Sequence, residues 1–170
     1  MSKITNLFLR YIFLVLVALP NLYLFYFLFT PTTLYPIYFI LQFFYEISLN
    51  GDIISVGKFS IELIGACIGG SAYYLLLILN LSTSEIKLKK RIKMILISFG
   101  LFLILNILRI ILLSFMFLSG SAWFSLTHEL FWYVGSVIFV VGIWIFEVKF
   151  FKIKKIPVYS DLKFLWNKIK

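Results

Sequence analysis

Four long stretches of this chain are nearly free of charge, and they set the first reading of its architecture. No Asp, Glu, Lys or Arg occurs from Tyr11 to Tyr45, from Leu63 to Ser84, or from Leu130 to Phe146. Between Met94 and Thr127 the single charge is Arg109. Each stretch can hold a membrane helix, which needs roughly 20 apolar residues. Backbone in lipid must satisfy its own hydrogen bonds, so such runs fold as helices rather than irregular chain.

The pattern predicts spans at about 7–29, 61–81, 94–118 and 126–146. Pro20-Asn21 is expected to kink the first, because proline removes a backbone donor. Thr30-Pro31-Thr32 and Pro36 are expected to break the chain ahead of 34–49, a segment that lies at the interface, re-enters the bilayer or crosses it. The expected fold class is all-α: a polytopic membrane helix bundle of four to five transmembrane helices plus an interfacial segment. Residues 1–170 are read as a single membrane-integral domain without a soluble unit.

Composition agrees with this pattern. The chain is 62% hydrophobic and 14% charged, with a mean hydropathy of +1.04. A soluble domain is roughly half apolar and about a quarter charged. The net charge of +9 changes the picture only through its placement. Lys87, Lys89, Lys90, Arg91 and Lys93 crowd what reads as one short loop, and Lys149, Lys152, Lys154 and Lys155 lead into a basic tail with Lys163, Lys168 and Lys170. Short basic segments beside membrane helices mark the cytoplasmic side and can touch anionic headgroups. Nucleic-acid binding is therefore a poor explanation of the charge. With both clusters inside, the last two spans form a hairpin whose loop, Ser119–Ser125, faces out. The tail after Phe151 reads as a membrane-surface helix or a loose end. Cys67 is the sole cysteine, so no internal disulfide can form. The apolar run after Lys3 and Arg10 is too long for a signal-peptide core and is expected to remain as an anchor.

Three residues carry candidate chemistry. A charge inside a membrane helix costs about 2.5–3.5 kcal/mol on insertion scales, so Arg109 needs a partner, a water-filled cavity or a route to the headgroups. It falls in the outer half of its span, roughly 22 Å from the inner end at helical rise. Asn106 precedes it by one turn, on the same face. Cys67 sits among small residues, Gly65, Ala66, Gly69 and Gly70. The Gly65–Gly69 pair can serve helix packing or leave space for a substrate backbone beside a thiol. A membrane cysteine is commonly just a small hydrophobe. His128, the one histidine, opens the last span beside Glu129 and belongs equally to an aromatic belt with Trp123, Trp132 and Tyr133. One histidine and one cysteine do not make a metal site, and no cofactor is implied. The topology, drawn without these residues, puts Cys67, Arg109 and His128 on three helices at the outer face. A thiol, a guanidinium and an imidazole meeting there form a nucleophilic site.

In this arrangement the chain resembles the archaeosortase/exosortase family. The matching elements are Cys67-Ile68-Gly69 on one helix, Asn106-Ile107-Leu108-Arg109 on the next and His128 at the head of another, in family order, over about residues 61–146. Ile68 stands where family members often carry Ser or Thr. The chain looks like one of the small archaeosortases. The resemblance implies a membrane-embedded cysteine transpeptidase or protease, with Cys67, Arg109 and His128 catalytic. Its substrates would be surface proteins ending in a short motif, a transmembrane helix and a basic tail. They would be cut on the extracytoplasmic side of the cell membrane and passed to a membrane-linked acceptor.

In that chemistry Cys67 attacks the scissile carbonyl, His128 serves as general acid and base, and Arg109 stabilises the oxyanion or clamps the substrate. Asn106 is expected to orient Arg109, and Glu129 to orient His128. The alternative is a non-enzymatic membrane scaffold or assembly factor, with Arg109 in a structural ion pair to Glu46, Asp52, Glu62 or a partner protein. Four or five spans without a visible repeat fit a transporter poorly.

Overall fold

The computed structural model describes residues 3–169. Helix α1 (Lys3–Ala18) stops before Pro20, and α2 (Tyr23–Gln42) starts after a turn in which Asn21 and Leu22 have positive φ. The expected first span is thus two helices, because Pro20 and the left-handed turn end α1 instead of bending it. Pro31 and Pro36 lie inside α2, contrary to the expected break. Thr32 Oγ1 donates to the Leu28 and Phe29 carbonyls there, at 3.1 and 3.3 Å. The carbonyls that Pro31 and Pro36 leave without a helical donor are those of Phe27 and Thr32, and a helix held by its neighbours in an apolar bundle tolerates such losses.

The second departure comes after α2. The end of the expected segment 34–49, the unassigned residues 50–60 and the start of the expected span 61–81 form a three-stranded antiparallel sheet, β1 (Ile47–Asn50), β2 (Ile53–Val56) and β3 (Phe59–Glu62), in the order β1-β2-β3. The fold is therefore mostly helical but not all-α. Asp52 and Lys58 fall at the two hairpin turns, whose glycines Gly51 and Gly57 have positive φ, as tight hairpins require. Alternation along β2 buries Ile54 and Val56 against Leu34, Ile37, Leu41, Leu63, Ile68 and Ile110.

The short helix α3 (Gly65–Ile68) and α4 (Gly70–Leu81) are divided at Gly69, whose φ is +78°. The expected span 61–81 is accordingly strand, linker and two helices. Gly65 and Gly69 are not a packing pair on one helix. Instead a Cβ on Gly70 would stand 2.8 Å from the Tyr26 ring, and one on Gly65 3.3 Å. The small residues thus admit Tyr26. Helix α5 (Leu88–Leu118) begins within the basic cluster rather than after it, since Lys and Arg are good helix formers. A turn leads to α6 (Phe124–Leu130), a π-helical turn (Phe131–Gly135), α7 (Ser136–Phe150) and α8 (Tyr159–Ile169).

Three helices are long and apolar enough to cross a membrane: Tyr23–Gln42, Leu88–Leu118 and the continuous run Phe124–Phe150. Helices α1 and α4 are apolar but shorter. The outward faces carry large apolar side chains such as Phe8, Phe27, Phe39, Leu96, Ile104 and Ile138. A water-facing surface of this kind would be untenable, whereas lipid accepts it. Inside, Phe25, Phe29, Tyr73, Phe99 and Phe102 interlock, with the Phe29 and Tyr73 rings stacked at 3.6 Å. That aromatic core fixes α2, α4 and α5 against one another.

At the basic end, Arg91 Nη1 donates to the Asn80 and Leu81 carbonyls at 2.6 and 2.9 Å, and Nη2 to Thr83 at 2.9 Å. The guanidinium satisfies the open carbonyls at the C-terminus of α4 and suits its partial negative charge. Arg10 joins from α1, bonding Leu81 and Thr83 and pairing with Asp161 of α8 at 3.0 Å. This pair docks the tail helix, so residues 159–169 are helical rather than a loose end.

Candidate functional site

A cavity of about 210 Å³ opens beside the C-terminal half of α5. Its walls come from β3 (Ser60, Ile61, Glu62), α3 (Ala66, Cys67), α5 and the α6 region, and it takes in Cys67, Arg109 and His128 together. The strand–linker–helix sequence places the thiol. Ile64 is extended, α3 lasts four residues, and Gly69 turns the chain into α4. Cys67 is half-buried and lies on the cavity wall, ahead of α4 rather than inside it.

Two α5 side chains fix that short helix. Asn106, fully buried, donates from Nδ2 to the carbonyls of Cys67 at 2.8 Å and Ile68 at 3.2 Å. Arg109, 8% exposed, donates from Nη2 to the Cys67 carbonyl at 3.3 Å and from Nη1 to Ser136 Oγ at 3.1 Å. These carbonyls end α3 without a continuing helix, and buried carbonyls need such donors. The expectation that Asn106 orients Arg109 is therefore corrected: they meet on a shared acceptor and make no bond to each other. Arg109 Nε and Asn106 Oδ1 are buried without a partner. Among the described residues Arg109 has no carboxylate within ion-pair distance.

His128 is exposed and held between rings of its own helical run, 5.5 Å from Phe124 and 5.9 Å from Trp132. Residues four apart on a helix share a face, so this setting comes directly from the sequence spacing. Glu129 is exposed and makes no hydrogen bond to His128, which corrects its expected orienting role. Next-door residues on a helix point in different directions. Gly69 also contributes differently than expected: it lies off the cavity wall and provides the positive-φ turn that ends α3. A Cβ there would stand 3.1 Å from Phe102.

Sequence reasoning misses two participants. Ser136 holds Arg109, but a serine in an apolar run carries no signal by itself; the π-helical turn before it sets which way it faces. Glu62 enters the sequence reading only as an ion-pair partner for Arg109, yet it lines the cavity containing the thiol. Among the described residues no cluster of three or more metal-ligating side chains gathers.

The fold and cavity define a helical membrane protein with a thiol, a guanidinium and an imidazole around one opening. No family model, curated protein or solved structure matches the chain.

Proposed function

We propose that the protein is a membrane-embedded cysteine transpeptidase or protease of the archaeosortase/exosortase type. Its substrates are surface proteins ending in a short motif, an apolar helix and a basic tail. The observation that carries this reading is the meeting of Cys67, Arg109 and His128, from α3, α5 and α6, on one cavity. The basic start of α5 and the cavity at its other end support an extracytoplasmic position for the cavity, since basic segments beside membrane helices mark the cytoplasmic side.

Cys67 Sγ attacks the carbonyl carbon of the scissile peptide bond. The C–N bond breaks, the amine leaves with a proton from His128, and a thioester remains. A hydroxyl- or amine-bearing acceptor in the membrane, deprotonated by His128, then attacks the thioester and releases the thiol. Arg109 has N–H groups beyond the two that bond Ser136 and Cys67, and these serve the developing oxyanion. A thiol among apolar side chains ionises reluctantly, and a neighbouring guanidinium favours the thiolate. The scaffold alternative has less support, since Arg109 makes no ion pair with Glu46, Asp52 or Glu62.

The test tracks the size of a co-expressed protein carrying the three-part sorting signal. Cys67→Ala and Cys67→Ser should accumulate in membranes at wild-type abundance and leave the substrate uncut. Cys67 already borders open space, so a lost sulfur disturbs folding little, while neither replacement supplies a thiolate. Normal processing by Cys67→Ala would sink the proposal and leave the scaffold reading.

A further inference from the structure

Resting on that reading, and deepening it, we propose that the free edge of β3 docks an extended peptide substrate. The peptide adds to the sheet as a fourth strand, carrying its scissile carbonyl to Cys67.

The hydrogen-bond phase of the sheet decides which main-chain groups are open. Strand β3 is an outer strand, paired only with β2 in the register Ile53↔Glu62, Ile54↔Ile61, Ser55↔Ser60 and Val56↔Phe59. Just beyond it, Leu63 N–H donates to the Asp52 carbonyl at 3.0 Å. In an antiparallel ladder, alternate residues exchange bonds with the partner strand. Leu63, Ile61 and Phe59 therefore turn their main-chain groups toward β2. Ser60 and Glu62 turn theirs outward, to the open edge. Both residues are exposed, and both line the cavity that holds Cys67.

An outer strand with unpaired N–H and C=O groups is a template for another strand. Here the template runs into the site. From Glu62 the chain continues through the extended Ile64 to α3 and the thiol. No residue of β1, the other outer strand, lines the cavity. Strand addition also suits an enzyme that must hold a peptide straight across a nucleophile. Main-chain bonds give affinity whatever the side chains, and neighbouring pockets add selectivity. The cavity walls facing the edge supply such pockets through Ile110, Leu113, Phe117 and Phe124.

The experiment uses the purified full chain in detergent and a simple alkylating probe, acetyl-Ala-Ala-Phe-chloromethyl ketone, whose chloride Cys67 Sγ displaces. Two further probes carry an N-methyl group on one or the other of two consecutive backbone amides. Rates are divided by each probe's rate with glutathione. A paired strand uses alternate residues, so one methylation should slow labelling about fivefold or more, the worth of roughly one hydrogen bond. Its neighbour should stay within about twofold of the parent. Ser60→Pro removes an outward N–H without touching the β2 ladder, a position where an edge strand tolerates proline. Corrected for its own rate with iodoacetamide, it should lower the parent probe's advantage by about fivefold.

Equal rates for all three probes, or equal slowing by both methylations, would overturn the strand-docking proposal even if Ser60→Pro fails to fold. Either result, with Cys67 still alkylated, leaves the thiol's catalytic role standing. A Cys67 inert to every probe and to iodoacetamide would remove both.

Discussion

Two buried arginines stand on the same face of α5, Arg91 and Arg109, about five turns and roughly 27 Å apart. Arg91 spends its guanidinium on the carbonyls that end α4, and Arg10 repeats two of the same contacts from α1. None of the Arg91 nitrogens is buried without a partner. Arg109 bonds one hydroxyl and one carbonyl, keeps a partnerless Nε, and borders a cavity with a thiol and an imidazole. Arg91 is a latch closing helix ends. Arg109 holds a loosely terminated helix in place while keeping donors in reserve. In a membrane chain, burial of a charge does not by itself mark a site. Arg10 Nε is also buried without a partner, so what sets Arg109 apart is the thiol and imidazole that share its cavity.

Removing each charge in turn should separate the two arginines most clearly. Arg109→Met should lose substrate processing by about 10²- to 10³-fold, the usual effect of deleting an oxyanion donor. Arg109→Lys should fail to restore it, because a point charge cannot replace the planar fork that reaches both Ser136 and Cys67. The pH profile of Cys67 alkylation supplies an independent check. A cation favours the thiolate, so its removal should move half-maximal labelling to higher pH. An unmoved profile would mean that Arg109 does not act on the thiol. Arg91→Met should leave that profile in place and lower stability by about 1–3 kcal/mol, the penalty for leaving a buried acceptor unsatisfied. Arg10 still covers Leu81 and Thr83, so the loss falls mainly on the Asn80 carbonyl. Thermal unfolding in detergent measures it.

Much of this contrast is legible in the sequence, and the illegible part has physical causes. Charge-free runs and lysine clusters announce a membrane bundle, and the solitary Arg109, with Asn106 one turn before it, marks a polar interior. The imidazole can be placed near it by counting along the last two spans, whereas Cys67 arrives on a four-residue helix that the expected span 61–81 does not contain. The hairpins do leave a signal, because Ile47-Ser48-Leu49-Asn50, Ile54-Ser55-Val56 and Phe59-Ser60-Ile61-Glu62 alternate with period two and Asn50-Gly51 is a tight-turn pair. Each strand is only four residues, however, and the long charge-free runs on either side dominate the pattern. The contact between Asn106 and the Cys67 carbonyl is invisible for another reason. It depends on α3 ending after one turn, a consequence of the positive φ at Gly69.

That dependence gives a prediction of intermediate size. Gly69→Ala must place a Cβ at positive φ and 3.1 Å from Phe102. Left-handed backbone costs a non-glycine residue about 1–2 kcal/mol, so unfolding should shift by that amount or slightly more. Because α3 ends at this residue, alkylation of Cys67 should slow as well. Asn106→Ala leaves the Ile68 carbonyl without its donor and should cost a similar 1–3 kcal/mol. A stability loss with unchanged alkylation in both variants would show that α3 holds the thiol without help from α5.

The smallest effect is expected at Ser136, and it separates position from charge. Ser136 begins α7 immediately after the π-helical turn, a geometry that inserts a residue into the regular helix and re-aims the side chains beyond it. Its Oγ accepts from Arg109 Nη1 at 3.1 Å. Ser136→Ala keeps the guanidinium and its bond to Cys67, so the cation stays close and the pH profile of alkylation should not move. The change falls on the aim of the fork. A hydrogen bond to a charged group is worth up to about 3 kcal/mol, but water can enter the space left by the hydroxyl, and a net loss of about 1 kcal/mol is expected. Processing should fall roughly fivefold on that scale, at wild-type abundance. Ser136→Thr, which keeps an oxygen at the same position, should recover most of it. If Ser136→Ala shifted the pH profile as Arg109→Met does, Ser136 would be holding the charge itself in place. If it changed nothing, Arg109 would be fixed by the Cys67 carbonyl alone, and the two arginines would differ less than their contacts suggest.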